Sequence, residues 1–265
     1  MAGSVGKSST RFFEFINPEN PLSLRVGGKL ARFTLAYEMY GRMNASKSNV
    51  ILLFHAMTGS QHAAGLNRNV PGLNGRWTEE LHEGWWDAFI GPGKALDTRK
   101  FCVICANYLG GCYGSTGPAS INPQTGKPWG PAFPVLRMVD IVESQLRLLD
   151  SLGVKKLRAV TGASIGGYLS LLLATRHPDR VRIVVPIGTS LETTIVTGSS
   201  TSNKSPPSRA TPISKAAPIT TAPGLMSGSP WPGASHTRRL CHPIHCASGP
   251  GAWSSAINPR TAGTK

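Results

Sequence analysis

Gly162-Ala163-Ser164-Ile165-Gly166 stands between a mostly apolar run, Leu157 to Val160, and a stretch, Tyr168 to Arg176, that reads as a helix. A Gly-x-Ser-x-Gly between a strand and a helix marks a strained turn that presents a serine hydroxyl at the strand's C-terminal end. The flanking glycines lack a Cβ, so the chain can double back tightly. Ser164 is therefore a candidate nucleophile that attacks a carbonyl and carries an acyl group. The plainer alternative is a turn whose serine only caps the helix beginning at Ile165.

The surrounding pattern supplies the sheet that such a turn requires. Leu30 to Tyr40 reads as a strand, and Asn49 to Phe54 is a short apolar run of the kind buried on both faces of a sheet. Lys100 to Ala106, Lys156 to Thr161 and Val181 to Ile187 are further strand candidates. Val135 to Leu152 carries Val139, Val142, Leu146 and Leu149 at helical spacing, and Gly153 ends it. Alternating strands and helices predict an α/β fold, a mostly parallel sheet with helices on its faces.

A serine nucleophile needs a histidine base, usually a carboxylate to orient that base, and backbone N–H groups aimed at the developing oxyanion. One such donor is the residue after the serine, here Ile165. The second comes from a loop after an earlier strand, and His55-Ala56-Met57-Thr58-Gly59 directly follows Asn49 to Phe54. Met57 is the expected donor, with Thr58 the near alternative.

Composition bounds the rest. The chain has 265 residues, 40% of them apolar, and a mean hydropathy of −0.10. It holds no run of about 18 apolar residues, which argues against a membrane span. Its N-terminus does not read as a secretory signal, and its five cysteines do not suggest a disulfide framework, so a cytoplasmic location is expected. The net charge is +15. Up to Glu192, the last acidic residue, 21 basic residues face 13 acidic ones; the remaining 73 residues carry seven basic residues and no acid. The longest basic clusters are pairs (Arg99-Lys100, Lys155-Lys156, Arg238-Arg239), so no nucleic-acid partner is expected.

Four further stretches precede the serine turn in order: His55 to Gly59, Gly84-Trp85-Trp86-Asp87, Ile90 to Thr98, and Gly110-Gly111-Cys112-Tyr113-Gly114-Ser115-Thr116-Gly117-Pro118. Together they resemble the homoserine O-acetyltransferase family over residues 10 to 192. The resemblance implies an α/β-hydrolase fold and a Ser-Asp-His triad. It implies transfer of acetyl from acetyl-CoA, a co-substrate, to Ser164 and then to the hydroxyl of L-homoserine in methionine biosynthesis. No cofactor or metal is expected. Ser164 matches the family nucleophile, Met57 and Ile165 its oxyanion donors, and Asn107, Thr58 and the Gly110 to Pro118 loop the acceptor pocket. A homodimer is the family's assembly. Serine O-acetyltransferase, homoserine O-succinyltransferase, a serine hydrolase and a non-catalytic fragment are the alternatives.

The turn departs from the family's Gly-Gly-Ser-Met-Gly-Gly at Ala163 and Ile165, and neither change removes a backbone donor. The larger departure is downstream. Residues 193–265 contain ten prolines, many small polar residues and no acid, which predicts a low-complexity, disordered or aberrant tail on a C-terminally truncated hydrolase core of residues 1–192. The triad's aspartate and histidine have no match there. His236, His242 and His245 would have to act from a segment without predicted structure, so little or no acetyl transfer is expected of this chain.

Other tempting residues have structural readings. Cys102 and Cys105, three apart on a strand, point to opposite faces and read as core. Cys241-His242-Pro243-Ile244-His245-Cys246 is too crowded for a zinc site. Cys112 reads as a small packed residue, Trp85 and Trp86 as walls of a pocket or core, and His55 as packing beside the oxyanion loop.

Overall fold

The computed structural model describes residues 3–73 and 75–190. The predicted tail, including the histidines and the Cys241 to Cys246 cluster, lies outside them. In chain order the elements are β1 (Arg11–Ile16), β2 (Leu22–Ser23), β3 (Lys29–Leu30), β4 (Arg32–Tyr40), β5 (Val50–Phe54), β6 (Ile90–Gly91), β7 (Leu96–Asp97), β8 (Cys102–Ala106), α1 (Met138–Ser151), β9 (Ala159–Ala163), α2 (Ile165–Arg176) and β10 (Val184–Ile187). Six strands form one sheet in the order β1-β4-β8-β5-β9-β10. β8, β5, β9 and β10 are parallel, while β1 and β4 run antiparallel at one edge.

The central strands form because their side chains are apolar on both faces. Val50, Leu52 and Phe54 of β5 enter one core with α1 and α2, and Ile51 and Leu53 enter a second on the opposite face. Each fully buried aliphatic side chain contributes roughly 1.5–3 kcal/mol. Among the described residues both α-helices pack on the first face. The second is covered by the long segment between β5 and β8, including Ala63, Ala64, Ile90, Trp85 and Trp86. Cys102 belongs to the first core and Cys105 to the second, as their odd spacing requires.

α1 begins at Met138, three residues later than its apolar period suggests. The buried Asp140 carboxylate sets this start. It accepts the Arg137 N–H at 2.7 Å and, from across the chain, the Arg25 N–H at 2.8 Å. Gly153 ends the helix in the left-handed region at φ 70°, where its N–H reaches Asp150 O at 2.9 Å.

The fold also gathers charges that are scattered in sequence. Exposed Arg42, Lys100, Arg158 and Arg182 flank the same end of adjacent strands, the end opposite Ser164. The Asn49 amide donates to the Arg42 and Lys100 carbonyls, Arg158 N–H to Val50 O, and Arg182 N–H to Leu157 O.

Candidate active site

Ser164 lies immediately beyond β9 with φ 56° and ψ −121°. Besides Lys47 it is the only non-glycine with positive φ among the described residues. Such a conformation costs on the order of 1–3 kcal/mol and persists only where surrounding structure enforces it. Here the Ser164 N–H donates to Ile187 O of β10 at 2.9 Å, and Ser164 O accepts the Tyr168 N–H at 3.1 Å. Three glycines allow the close approach. A Cβ on Gly162 would lie 2.5 Å from the Gly166 backbone, one on Gly166 would lie 2.3 Å from Phe54 O, and one on Gly167 would lie 2.5 Å from the Thr189 side chain. Ala163 keeps ordinary strand geometry in β9, so its methyl is accommodated.

The serine is exposed, and its side chain makes no capping bond to α2. The capping alternative therefore has no support in the geometry. α2 starts at Ile165, three residues earlier than the apolar pattern suggests, because Gly166 and Gly167 are helical despite their low propensity. Ser164 thus sits at the N-terminus of a 12-residue helix, whose dipole favours negative charge there.

The loop after β5 comes to the same place. β5 and β9 are parallel and matched at Phe54 and Gly162, which sets Ala56 level with Ser164. Gly59 N–H closes the loop onto Ala56 O at 2.9 Å. Met57 and Thr58 are exposed at its tip. Among the described residues, the N–H groups of Met57 and Ile165 donate no hydrogen bond.

Behind this loop lies His55, 2% exposed. Its ring stacks on Tyr108 with centroids 3.7 Å apart and planes 17° apart, and the Tyr108 hydroxyl donates to the His55 carbonyl. Burial pushes the imidazole down to about 4, opposed only in part by the Ala56 carbonyl and the Asn107 amide. The ring is therefore neutral at physiological pH. Asn107 is itself buried, beneath the Gly110 to Pro118 loop. Its carbonyl accepts the Ser115 hydroxyl at 2.9 Å, and Gly111 approaches its amide so closely that a Cβ there would lie 2.7 Å from Oδ1. Asn107 thus lies under the loop while Thr58 faces solvent.

Sequence reading missed a second polar centre, farther along the same segment. Glu38 of β4, wholly buried, accepts from Thr10 (2.8 Å), Asn67 (2.7 Å), Tyr40 (2.9 Å) and His62 Nδ1 (3.0 Å). Burial raises its pKa, but the bond and charge of His62 and the bonds from Asn67 and Thr10 leave it below the ordinary value. This centre ties the N-terminal segment and residues 61–67 to the sheet. A glutamate within an apolar strand was its only sequence signal.

The two described free thiols are not nucleophile candidates. Burial pushes Cys102 up to about 11 and holds Cys105 well above the ordinary thiol range. Cys112 is half-buried. Trp85 and Trp86 pack against the second core, and Trp85 Nε1 donates to Ser60 O at 2.9 Å. Among the described residues no set of three His, Cys, Asp or Glu side chains converges as metal ligands, and no helix is long and apolar enough to cross a membrane.

Comparison with known proteins points to the same fold. Residues 49–211 match the family model of the alpha/beta hydrolase fold. Homoserine O-acetyltransferase of Symbiobacterium thermophilum is 49% identical over 178 residues, which are 67% of this chain and 44% of that protein. Homoserine O-succinyltransferase of Saccharophagus degradans is 45% identical over 191 residues, 72% of this chain and 47% of that one. Among solved structures, homoserine O-acetyltransferase from Bacillus anthracis superposes with a TM-score of 0.60 at 32% identity, covering 73% of this chain and 50% of that chain. Esterase E22 gives 0.57 at 39% identity, covering 66% and 46%. The chain thus spans about half the length of the curated relatives it matches.

Proposed function

Since the chain belongs to the alpha/beta hydrolase fold family, we propose that it is an acyltransferase chain built to carry an acyl group on Ser164, from acetyl-CoA to the hydroxyl of L-homoserine. In the first half-reaction Ser164 Oγ bonds to the thioester carbonyl carbon, the C–S bond breaks, and the serine proton leaves with the CoA thiol. In the second, the homoserine hydroxyl bonds to the acyl carbon, the Ser164 ester bond breaks, and the alcohol proton returns to Ser164. The Met57 and Ile165 amides take the oxyanion charge in both tetrahedral intermediates. Thr58, Asn107 and the loop above Asn107 shape the acceptor pocket. Acetyl-CoA serves as co-substrate without a further cofactor, in methionine biosynthesis in the cytoplasm, with a homodimer as the assembly.

The observation that carries this reading is Ser164 itself: an exposed hydroxyl, free of any cap bond, on a strained backbone at the N-terminus of α2. The relatives named homoserine O-acetyltransferase support the choice of acceptor, and those named homoserine O-succinyltransferase make succinyl-CoA the competing donor. The likeness to esterase E22 favours a second reading in which water replaces homoserine in the deacylation step.

The test is mass spectrometry of Ser164 after incubation with a fluorophosphonate probe, p-nitrophenyl acetate, acetyl-CoA or succinyl-CoA, with Ser164→Ala as control. Adducts confined to Ser164 support the acyl-serine reading, and their discharge by homoserine faster than by water supports transfer over hydrolysis. Absence of any Ser164 adduct, even with the fluorophosphonate, overturns it.

A further inference from the structure

The Ala56–Met57 peptide is unusual in how its carbonyl is held. Ala56 O accepts two hydrogen bonds, one from His55 Nδ1 at 2.7 Å and one from Gly59 N–H at 2.9 Å. A carbonyl oxygen only accepts, so His55 Nδ1 carries the proton and Nε2 the lone pair. The described peptides are trans, and in a planar trans peptide C=O and N–H point in opposite directions. Two donors that fix the direction of Ala56 C=O therefore fix the direction of Met57 N–H. That N–H has no acceptor among the described residues and belongs to a residue 51% exposed.

The ring that does this is itself held rigidly. It stacks on Tyr108, its main-chain carbonyl accepts the Tyr108 hydroxyl, and it is shut off from solvent. Its Nε2 is buried without a hydrogen-bond partner among the described residues.

We propose that His55 is a positioning residue: held by Tyr108, its Nδ1–H orients and polarises the Ala56–Met57 peptide so that Met57 N–H is aimed at the oxyanion formed on Ser164. This rests on the acyl-serine reading only for its last clause; the hold of the ring on the peptide is a property of the loop. Hydrogen bonding at the carbonyl end of a peptide strengthens donation from its N–H end. Pre-aimed donors of this kind need no reorganisation when charge develops. His55 neither touches the reacting atoms nor exchanges a proton with them.

The test uses the full chain labelled with 15N. Long-range 1H–15N spectra of His55 should show the Nδ1–H tautomer throughout pH 5.5 to 8 (a window chosen above its low pKa); an Nε2–H tautomer would overturn the proposal. The Met57 N–H order parameter should be that of rigid backbone, roughly 0.85, in the wild type, and fall below about 0.6 in His55→Phe, which fills the space without a donor. His55→Asn, whose amide N–H can stand where Nδ1–H stood, should restore it. An unchanged value in a folded His55→Phe, or no difference between the two variants, also overturns the proposal. Should His55→Phe fail to fold, the wild-type tautomer and the His55→Asn value still decide. Fluorophosphonate labelling of Ser164 should slow about 10-fold or more in His55→Phe and recover in His55→Asn. If Ser164 labels in no variant while the Met57 readouts behave as stated, the acyl-serine reading fails and the peptide-positioning role stands.

Discussion

Gly166 rests against the carbonyl of Phe54 so tightly that a Cβ on it would lie 2.3 Å from that oxygen and 2.8 Å from His55 O. This contact presses the start of α2 onto the end of β5, so the serine turn and the loop after β5 are positioned by one another. Gly166→Ala should therefore cost about 3 kcal/mol, because both neighbouring atoms are backbone and cannot rotate away. Urea denaturation checks this; a loss under 1 kcal/mol would mean the junction is looser than described.

Relieving the strain at Ser164 should do the opposite. Glycine tolerates φ 56° with ψ −121° where serine does not. Ser164→Gly should raise the urea midpoint by the equivalent of about 1 kcal/mol, the strain released less the added freedom of the unfolded glycine. The same variant should lose all labelling at this position. A lower midpoint would show that the hydroxyl contributes to stability.

His55 gives stability a pH dependence whose sign is fixed. The unfolded ring binds its proton near the ordinary 6.5, but the buried ring only near about 4. Between these values the unfolded state holds more protons, so stability is intact above pH 6.5 and lost as the pH falls toward 4. The loss is on the order of 3 kcal/mol at 1.36 kcal/mol per pKa unit. Urea curves at pH 7 and pH 4.5 should show a smaller drop for His55→Asn than for the wild type.

Glu38 carries four donors and faces His62 in a wholly buried pair. Replacing the carboxylate leaves the partner's side uncompensated, and Glu38→Gln should cost about 3–5 kcal/mol. Because its pKa is lowered in the folded chain, its contribution is present above the ordinary carboxyl range and disappears as the pH falls through the folded value. The wild type should thus lose its advantage over Glu38→Gln in acid.

Cys102 and Cys105 are buried and their thiols are held protonated. Peptide mapping after iodoacetamide at pH 8 should find both unmodified in the native chain and both alkylated in urea. Native-state modification of either would indicate opening of the sheet.

How much of this was legible beforehand follows from the range of each signal. The serine turn, β5, β8, β9 and the end of α1 rest on local features: glycines at fixed offsets, unbroken apolar runs and a left-handed stop. They stand within a few residues of where those features put them. β1 carries no clean alternation: Phe12, Phe13, Phe15 and Ile16 are apolar and only Glu14 interrupts them. Its pairing with β4 is antiparallel, so the sheet is mixed. Both described helices lie on one face because the segment between β5 and β8 covers the other with turns. The convergence of the Met57 loop on Ser164 was legible from motif order alone. The roles of Glu38, His62 and Tyr108 were not, since each depends on partners 24 to 53 residues away.

Among the described residues β10 pairs only with β9, and Ile183, Val185 and Ile187 project from one side of it at 42–44% exposure. A strand edge unpaired among the described residues, beside a greasy row, is a template for other chains. Concentration-dependent association at that seam is the expected consequence. Dilute refolding, or a lysine placed at Val185, is the remedy that the sheet itself suggests.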